Sequence, residues 1–144
     1  MRYVGITTSS DRQYEALERI LRSETLDFVQ FDYAIDNRGV EETLIPIARD
    51  RGIATMANLP FGRTRLFRRV GDRPVPGWAH EFGARTWAQF FLKWLLGNPA
   101  MTVVIPGTSD PEHLADNMGA GVGRLPDEGE RRRMVEVVES LPAA

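Results

Sequence analysis

The stretch from Val103 to Asn117, VVIPGTSDPEHLADN, puts oxygen-bearing side chains on a turn that closes one apolar run and opens a helix. Gly107 lets another group approach the backbone closely. Thr108, Ser109 and Asp110 offer hydroxyl and carboxylate oxygens, and Asp110 followed by Pro111 has the pattern of an N-cap with proline at the first helical position. The first N–H groups of such a helix lack an internal partner, so the terminus favours a phosphate. Two readings follow. The turn is a phosphate cradle, or it is an ordinary capped helix start whose anionic Asp110 competes with any phosphate.

Other residues could do chemistry. In FVQFDY, strand alternation puts Phe28, Gln30 and Asp32 on one face and Val29, Phe31 and Tyr33 on the other. The first set carries an amide and a carboxylate toward the C-terminal end of a strand, where parallel α/β folds bind ligands. Gln30 and Asp32 equally suit bonds to neighbouring backbone. Arg63, Arg65, Arg68 and Arg69 crowd FGRTRLFRR, free to reach a phosphate or simply to be solvated. GAGVG, Gly119 to Gly123, follows a helix instead of a strand, so it reads as a flexible helix exit and not as a dinucleotide loop. ERRR, Glu130 to Arg133, shares a helix with Glu136 and Glu139 and reads as a solvated, salt-bridged face. His80 and His113 stand far apart with no ligand cluster, so no metal site is expected. With no cysteine, disulfides and thiolate chemistry are excluded.

The elements that must position these residues alternate. RYVGIT reads as a strand, and Asp11 is placed to cap the helix DRQYEALERILR, where Tyr14, Leu17, Ile20 and Leu21 fall at helical spacing. DFVQFDYA, residues 27 to 34, is the second strand. GVEETLIPIARDRG reads as a helix stopped by Gly52, with Pro46 forcing a late start or a kink. IATMANL is the third strand, and a long polar loop runs from Pro60 to about Gly83. ARTWAQFFLKWLLGN is the most apolar helix, MTVVIP the fourth strand, PEHLADNMGAG a short helix and PDEGERRRMVEVVESL a final one. Four βα alternations predict parallel strands joined by right-handed crossovers. Such strands need cover on both faces. The sheet is then open and wrapped by helices, or it is an arc of a barrel.

Length allows one domain spanning residues 1–144. A hydrophobic content of 42% with 26% charged residues is that of an ordinary globular chain, and a net charge of -2 gives no field for nucleic acid. Every basic residue but Lys93 is arginine. No apolar run approaches membrane-spanning length and no signal-like segment opens the chain, so the expectation is a cytoplasmic protein with no membrane partner.

In sum, RYVGIT, LDFVQFDYAIDNR, NLPFGRTRLF, TWAQFFLKWLL and IPGTSDPEHLADN, in this order, resemble the C-terminal half of an aldo-keto reductase. The resemblance implies four consecutive βα units resembling the C-terminal half of a (β/α)8 TIM barrel, and NADP as cofactor. By position it places Thr7 and Thr8 where the family's Ser-Asn pair holds the nicotinamide amide, and Gln30 on that same amide. It places Pro60, Phe61, Gly62 and Arg63 along the pyrophosphate. Gly107, Thr108, Ser109, His113 and Asn117 fall at the adenosine end and its 2′-phosphate. Three positions depart. Asn58 stands where many members stack an aromatic on the nicotinamide, and Gly107 and His113 stand where many have lysine and arginine. A neutral histidine grips phosphate less firmly than arginine.

The family's catalytic Asp, Tyr, Lys and His belong to the first four βα units, to which nothing here corresponds; Tyr3, Tyr14, Tyr33 and Lys93 do not match them. Lys93, on an apolar helix, reads as a snorkelling surface residue. No residue is therefore assigned a catalytic role. The expectation is a truncated oxidoreductase half that binds cofactor without turning over. The alternatives are a non-catalytic nucleotide- or phosphate-binding module and an assembly fragment. A full barrel needs roughly 250 residues. Half of one exposes two strand edges, which predicts a homo-oligomer or a complementary half-barrel chain as partner.

Overall fold

Strand β2, Phe28–Asp32, shows what the alternation achieves. Val29 and Phe31, with Tyr33 just beyond, are fully buried, while Phe28, Gln30 and Asp32 are only half-buried. The computed structural model describes residues 2–142, with β2 flanked by β1 (Gly5–Thr7) and β3 (Ala54–Asn58), and β3 by β4 (Val103–Val104). All neighbours run parallel, in the order β1-β2-β3-β4. The register aligns Thr7 with Gln30, Gln30 with Met56 and Met56 with Val103, so these four form one row on the inner face. Asp32 and Asn58 form the next row toward the strands' C-terminal ends.

The helices cover the other face. They are α1 (Tyr14–Ser23), α2 (Leu44–Asp50), α3 (Arg65–Val70), α4 (Trp87–Leu96), α5 (Pro111–Gly119) and α6 (Glu128–Glu139). Leu17 and Leu21, Leu44 and Ala48, and Phe90, Phe91 and Trp94 meet Val29, Phe31 and Tyr33 in a single buried cluster. Among the described residues, only one face of the sheet is packed. That settles the choice left open by the sequence: the sheet is an arc of a barrel.

Several local expectations change. Asp11 does not cap α1; it lies in a 3-10 turn, Asp11–Gln13, that leads into the helix. The segment from Gly39 splits into a 3-10 turn and α2, which starts at Leu44 and tolerates Pro46 because the proline sits in its first turn, where N–H groups have no partner. The fourth strand shrinks to two residues. The stretch from Pro60 to Gly83 is not one loop: it holds α3 and a 3-10 segment, Gly77–Phe82. Leu66 and Val70, one turn apart and buried, anchor α3 beneath its arginines.

Lys93 is the largest correction. It is buried with no exposed surface, among six consecutive buried residues of α4 from Phe90 to Leu95. A helix apolar all round is buried all round, and the lysine goes in with it. Its Nζ donates to the carbonyls of Val122 (2.8 Å) and Arg124 (3.1 Å). Burial lowers its pKa below the ordinary lysine value, and Arg124 adds to the shift. The glycine-rich exit after α5 is thus tied down, where a flexible segment was expected. In ERRR, Arg132 and Arg133 are exposed as the solvated, salt-bridged reading requires, and Arg131 departs from it. Arg131 lies 4.7 Å over the Trp94 ring and its Nε donates to the Trp94 carbonyl (2.9 Å), while the Trp94 indole N–H donates to the Arg131 carbonyl (3.2 Å); Arg133 lies 4.1 Å over Trp78. Arg132 pairs with Glu128 and Glu130 with Arg124, so the salt bridges expected of this segment are present.

Candidate functional site

The loop after β3 is held in an uncommon backbone. Leu59 (φ 51°) and Arg63 (φ 60°) are non-glycine residues in the left-handed region, with Gly62 (φ 54°) beside them. Such conformations cost energy and persist where the surroundings impose them, often at ligand sites. Here the loop is cinched by Gly62 N–H to the Leu59 carbonyl (2.8 Å) and Arg65 N–H to the Gly62 carbonyl (3.1 Å). The result turns Phe61 and Arg63 toward the start of α4 and the turn after β4.

These three segments enclose a cavity of about 440 Å³. Phe61, Arg63, Gly107, Thr108, His113 and Asn117 line it, so six of the residues assigned from sequence converge in one place. Ser109 sits in the same turn, and Pro60 and Gly62 in the loop. Phe67, Thr86, Trp87 and Asp116 also line the cavity and were not anticipated. The aromatic wall is continuous: Phe61 and Phe67 have centroids 4.9 Å apart, and Trp87 stacks on Phe91 at 5.6 Å. Asp116 fixes the floor, accepting from Thr86 Oγ1 and Gln89 Nε2, both at 2.8 Å. Gly119 permits that approach, since a Cβ there would stand 2.6 Å from Gln89 Nε2. The hint in the sequence was Thr86, the N-cap of α4, whose hydroxyl accepts from Gln89 N–H.

The helix terminus itself is taken. Asp110 Oδ1 accepts from the N–H groups of Glu112 (2.8 Å) and His113 (3.4 Å), and these bonds pull its carboxyl below the usual carboxylate range. An anion in the cavity would therefore meet Arg63, His113 and the Thr108 hydroxyl before it met the helix N–H groups. Of the four arginines near this loop, Arg65 forks onto Asp36 (2.8 and 3.0 Å) and Arg69 onto the carbonyls of Val138 and Leu141. Arg68 holds Thr64. Arg63 alone is directed at the cavity, and it also borders a smaller one of about 200 Å³ shared with Ser9, Asp32, Asn37 and Gly62.

Thr7, Thr8 and Gln30 form a second group, across the sheet from the first. Thr7 is exposed at the end of β1, level with Gln30. Thr8 is buried, and its hydroxyl is committed to Gln13 and Ser10. The Gln30 amide has no hydrogen-bond partner among the described residues. Asn58 reaches across β2 to donate from Nδ2 to the Thr8 carbonyl (3.1 Å), and its Oδ1 is buried with no partner among the described residues. Asp32 accepts from Tyr14 OH (2.7 Å) and Asn37 Nδ2 (2.8 Å), so its bonds go to side chains more than to neighbouring backbone. Burial, then Asp32, pushes the Tyr14 phenol well above its ordinary value.

Four parallel βα units around a one-sided core, with a cavity at the strands' C-terminal ends, define half of a TIM-barrel protein. The aldo/keto reductase family model matches residues 1–132, and the chain belongs to that family. It is 24% identical to the probable aldo-keto reductase 1 of Glycine max, covering 99% of this chain and 46% of that protein. It is 29% identical to the pyridoxine 4-dehydrogenase of Escherichia coli K12, covering 89% and 42%. Among solved structures, an aldo/keto reductase from Klebsiella pneumoniae in complex with NADP and acetate superposes with a TM-score of 0.69 at 20% identity, covering 95% of this chain and 48% of the other. The holo form of aldo-keto reductase AKR11C1 from Bacillus halodurans gives 0.68 at 19%, covering 99% and 51%. The chain thus spans about half the length of the proteins it matches.

Proposed function

We propose that these residues form the NADP(H)-binding half of an aldo-keto reductase and that, alone, they bind the cofactor without reducing a carbonyl. The observation that carries this is the convergence of Phe61, Arg63, Gly107, Thr108, His113 and Asn117 on one aromatic-walled cavity. The residues fit the group. Flat aromatic surface beside one directed guanidinium suits an adenine ring carrying a phosphate. The unpartnered Asn58 Oδ1 and the free Gln30 amide suit a carboxamide, which both donates and accepts. When bound, the cofactor supplies a hydride. Reduction of a carbonyl also needs a positioned proton donor. Tyr14, its phenol pushed up and its proton held by Asp32, is poorly suited to give one. A cytoplasmic location belongs to the same proposal; no helix among the described residues is long and apolar enough to cross a membrane.

A second reading has an observation of its own. Asn58 and the committed Thr8 hydroxyl close part of the nicotinamide end. That favours a module holding only the phosphate-bearing adenosine end. Titration of the chain with NADPH, followed by tryptophan fluorescence, tests both. Trp87 lines the cavity, so quenching with a micromolar midpoint is expected. Equal affinity for adenosine 2′,5′-bisphosphate selects the second reading, and no quenching by either ligand overturns both. Carbonyl reduction by the purified chain overturns the inactive half.

A further inference from the structure

The larger cavity has almost no net charge to offer an anion. Arg63 brings one cation to its lining and Asp116 one carboxylate, whose two oxygens already accept from Thr86 and Gln89. A second carboxylate, Asp110, caps α5 and holds its Oδ2 3.8 Å from Nδ1 of His113. Glu112, the residue before His113, is exposed, and the start of α4 contributes only the uncharged Thr86, Trp87 and Ala88. Among the lining residues, only His113 is of a type that changes charge between pH 5 and 8. Its backbone N–H is engaged by Asp110 Oδ1, so what it presents to a ligand is the ring, which is 73% exposed.

The two nitrogens of that ring are not equivalent. Nδ1 faces the Asp110 carboxylate, which favours a proton on that nitrogen. In the neutral ring Nε2 is then a bare acceptor. It can take a hydrogen bond from a hydroxyl, and it meets a phosphate oxygen as one lone pair meets another. In the charged ring both nitrogens donate. Nδ1 stays with Asp110, and Nε2 gives a charge-assisted bond to a phosphate.

We propose that His113, opposed by Asp110, makes the choice between a phosphate and a hydroxyl at the 2′ position of the cofactor's adenosine depend on pH. This rests on the cofactor reading above and adds the group that selects. Protonation turns the position from an acceptor that suits NAD into a donor that suits NADP. Arg63 and Thr108 stay as they are and serve both ligands.

Binding of NADP and of NAD is measured at pH 5.5 and pH 8.0 by tryptophan quenching, since Trp87 lines the cavity. The ratio of the two affinities is expected to favour NADP roughly tenfold more at the lower pH. The 2′-phosphate takes up a proton of its own near pH 6, about its second pKa, and this pulls the other way in every variant. His113→Gln should show that fall alone, and His113→Arg should keep a high ratio at both values apart from it. Asp110→Asn still caps the helix and should raise the ratio at pH 8.0, because a repelling carboxylate is gone. Linkage supplies a readout on the parent chain: NADP must raise the titration midpoint of the His113 ring, by about one pH unit for a tenfold effect, and NAD must not. The chain has two histidines, so proton NMR resolves the ring, and His113→Gln assigns it. A ratio with the same pH profile in the parent and in His113→Gln, or a His113 midpoint that NADP leaves in place, overturns the proposal while the cofactor site stands. Failure of both nucleotides to quench at either pH removes the site and the proposal together.

Discussion

Replacing Lys93 by methionine keeps the four-atom stem and removes the ammonium. In the folded chain that group has no exposed surface and donates to two carbonyls of the turn between α5 and α6. Hydrogen bonds to a charged group are worth about 1.5–3 kcal/mol each. Two forces oppose their loss. Burying a cation costs several kcal/mol, here seen as a pKa pushed down by desolvation. The Val122 carbonyl, on a residue 71% exposed, can also recover water once the turn loosens. The net destabilisation expected for Lys93→Met is about 2 kcal/mol, or roughly 4–8 °C in Tm for a chain of this size. Urea unfolding followed by tryptophan fluorescence measures it at fixed protein concentration. Amide exchange across residues 120–126 should speed up with it.

The pH dependence gives an independent check. The folded chain penalises the charged lysine, so its folded pKa lies below the unfolded one. Between those two values the unfolded chain holds more protons, and stability must rise with pH. The rise begins at the lowered folded value and ends near the ordinary lysine value of about 10.4. Lys93→Met should lack it. A variant as stable as the parent, with unchanged exchange in the α5–α6 turn and the same alkaline limb, would show that the buried ammonium ties nothing down.

Arg63→Ala should weaken NADPH binding about tenfold to a hundredfold, because one charge-assisted contact is lost, while the unfolding midpoint stays put; an unchanged midpoint of quenching refutes the role given to its guanidinium. On the acid side, Glu130 is held below its ordinary pKa chiefly by Arg124. Its contribution is present above the unfolded value of about 4.3 and is lost as pH falls through the lower folded value. Glu130→Gln should therefore flatten the stability curve only below about pH 4.3, as urea midpoints from pH 2 to 7 will report.

How much of this was legible can be traced to particular residues. The two faces of β2 could be read because strand side chains alternate, and Val29, Phe31 and Tyr33 are buried as the pattern demands. Helix α3 was hidden because RLFRRV looks polar; its only apolar signal is Leu66 and Val70 one turn apart. Lys93 and Arg131 misled because charge suggests solvent. What places them inside is the carbonyl groups and the indole they meet, which come from elements far along the chain. For the site, the turn from Gly107 to Asn117 announced itself through its cap and proline. Thr86, Trp87 and Asp116 join it only because α4 and α5 approach closely at Gly119, a contact no local pattern encodes.

The two ends of the candidate site differ in what completes them. The proposed adenosine end is walled by segments of one chain, from Phe61 through Trp87 to Asn117, and its floor is pinned by bonds between α4 and α5. The other end lies on the open inner face, where Thr7 is exposed and Gln30 and Asn58 keep unpartnered groups. An open face leaves water free to compete for each of those groups, so contacts there are weak until something closes the arc. Affinity and chemistry are therefore separable in this fold. On the proposed reading, the first needs only these residues. The second needs a dry pocket and a proton donor, and those depend on whatever meets the free edges of β1 and β4.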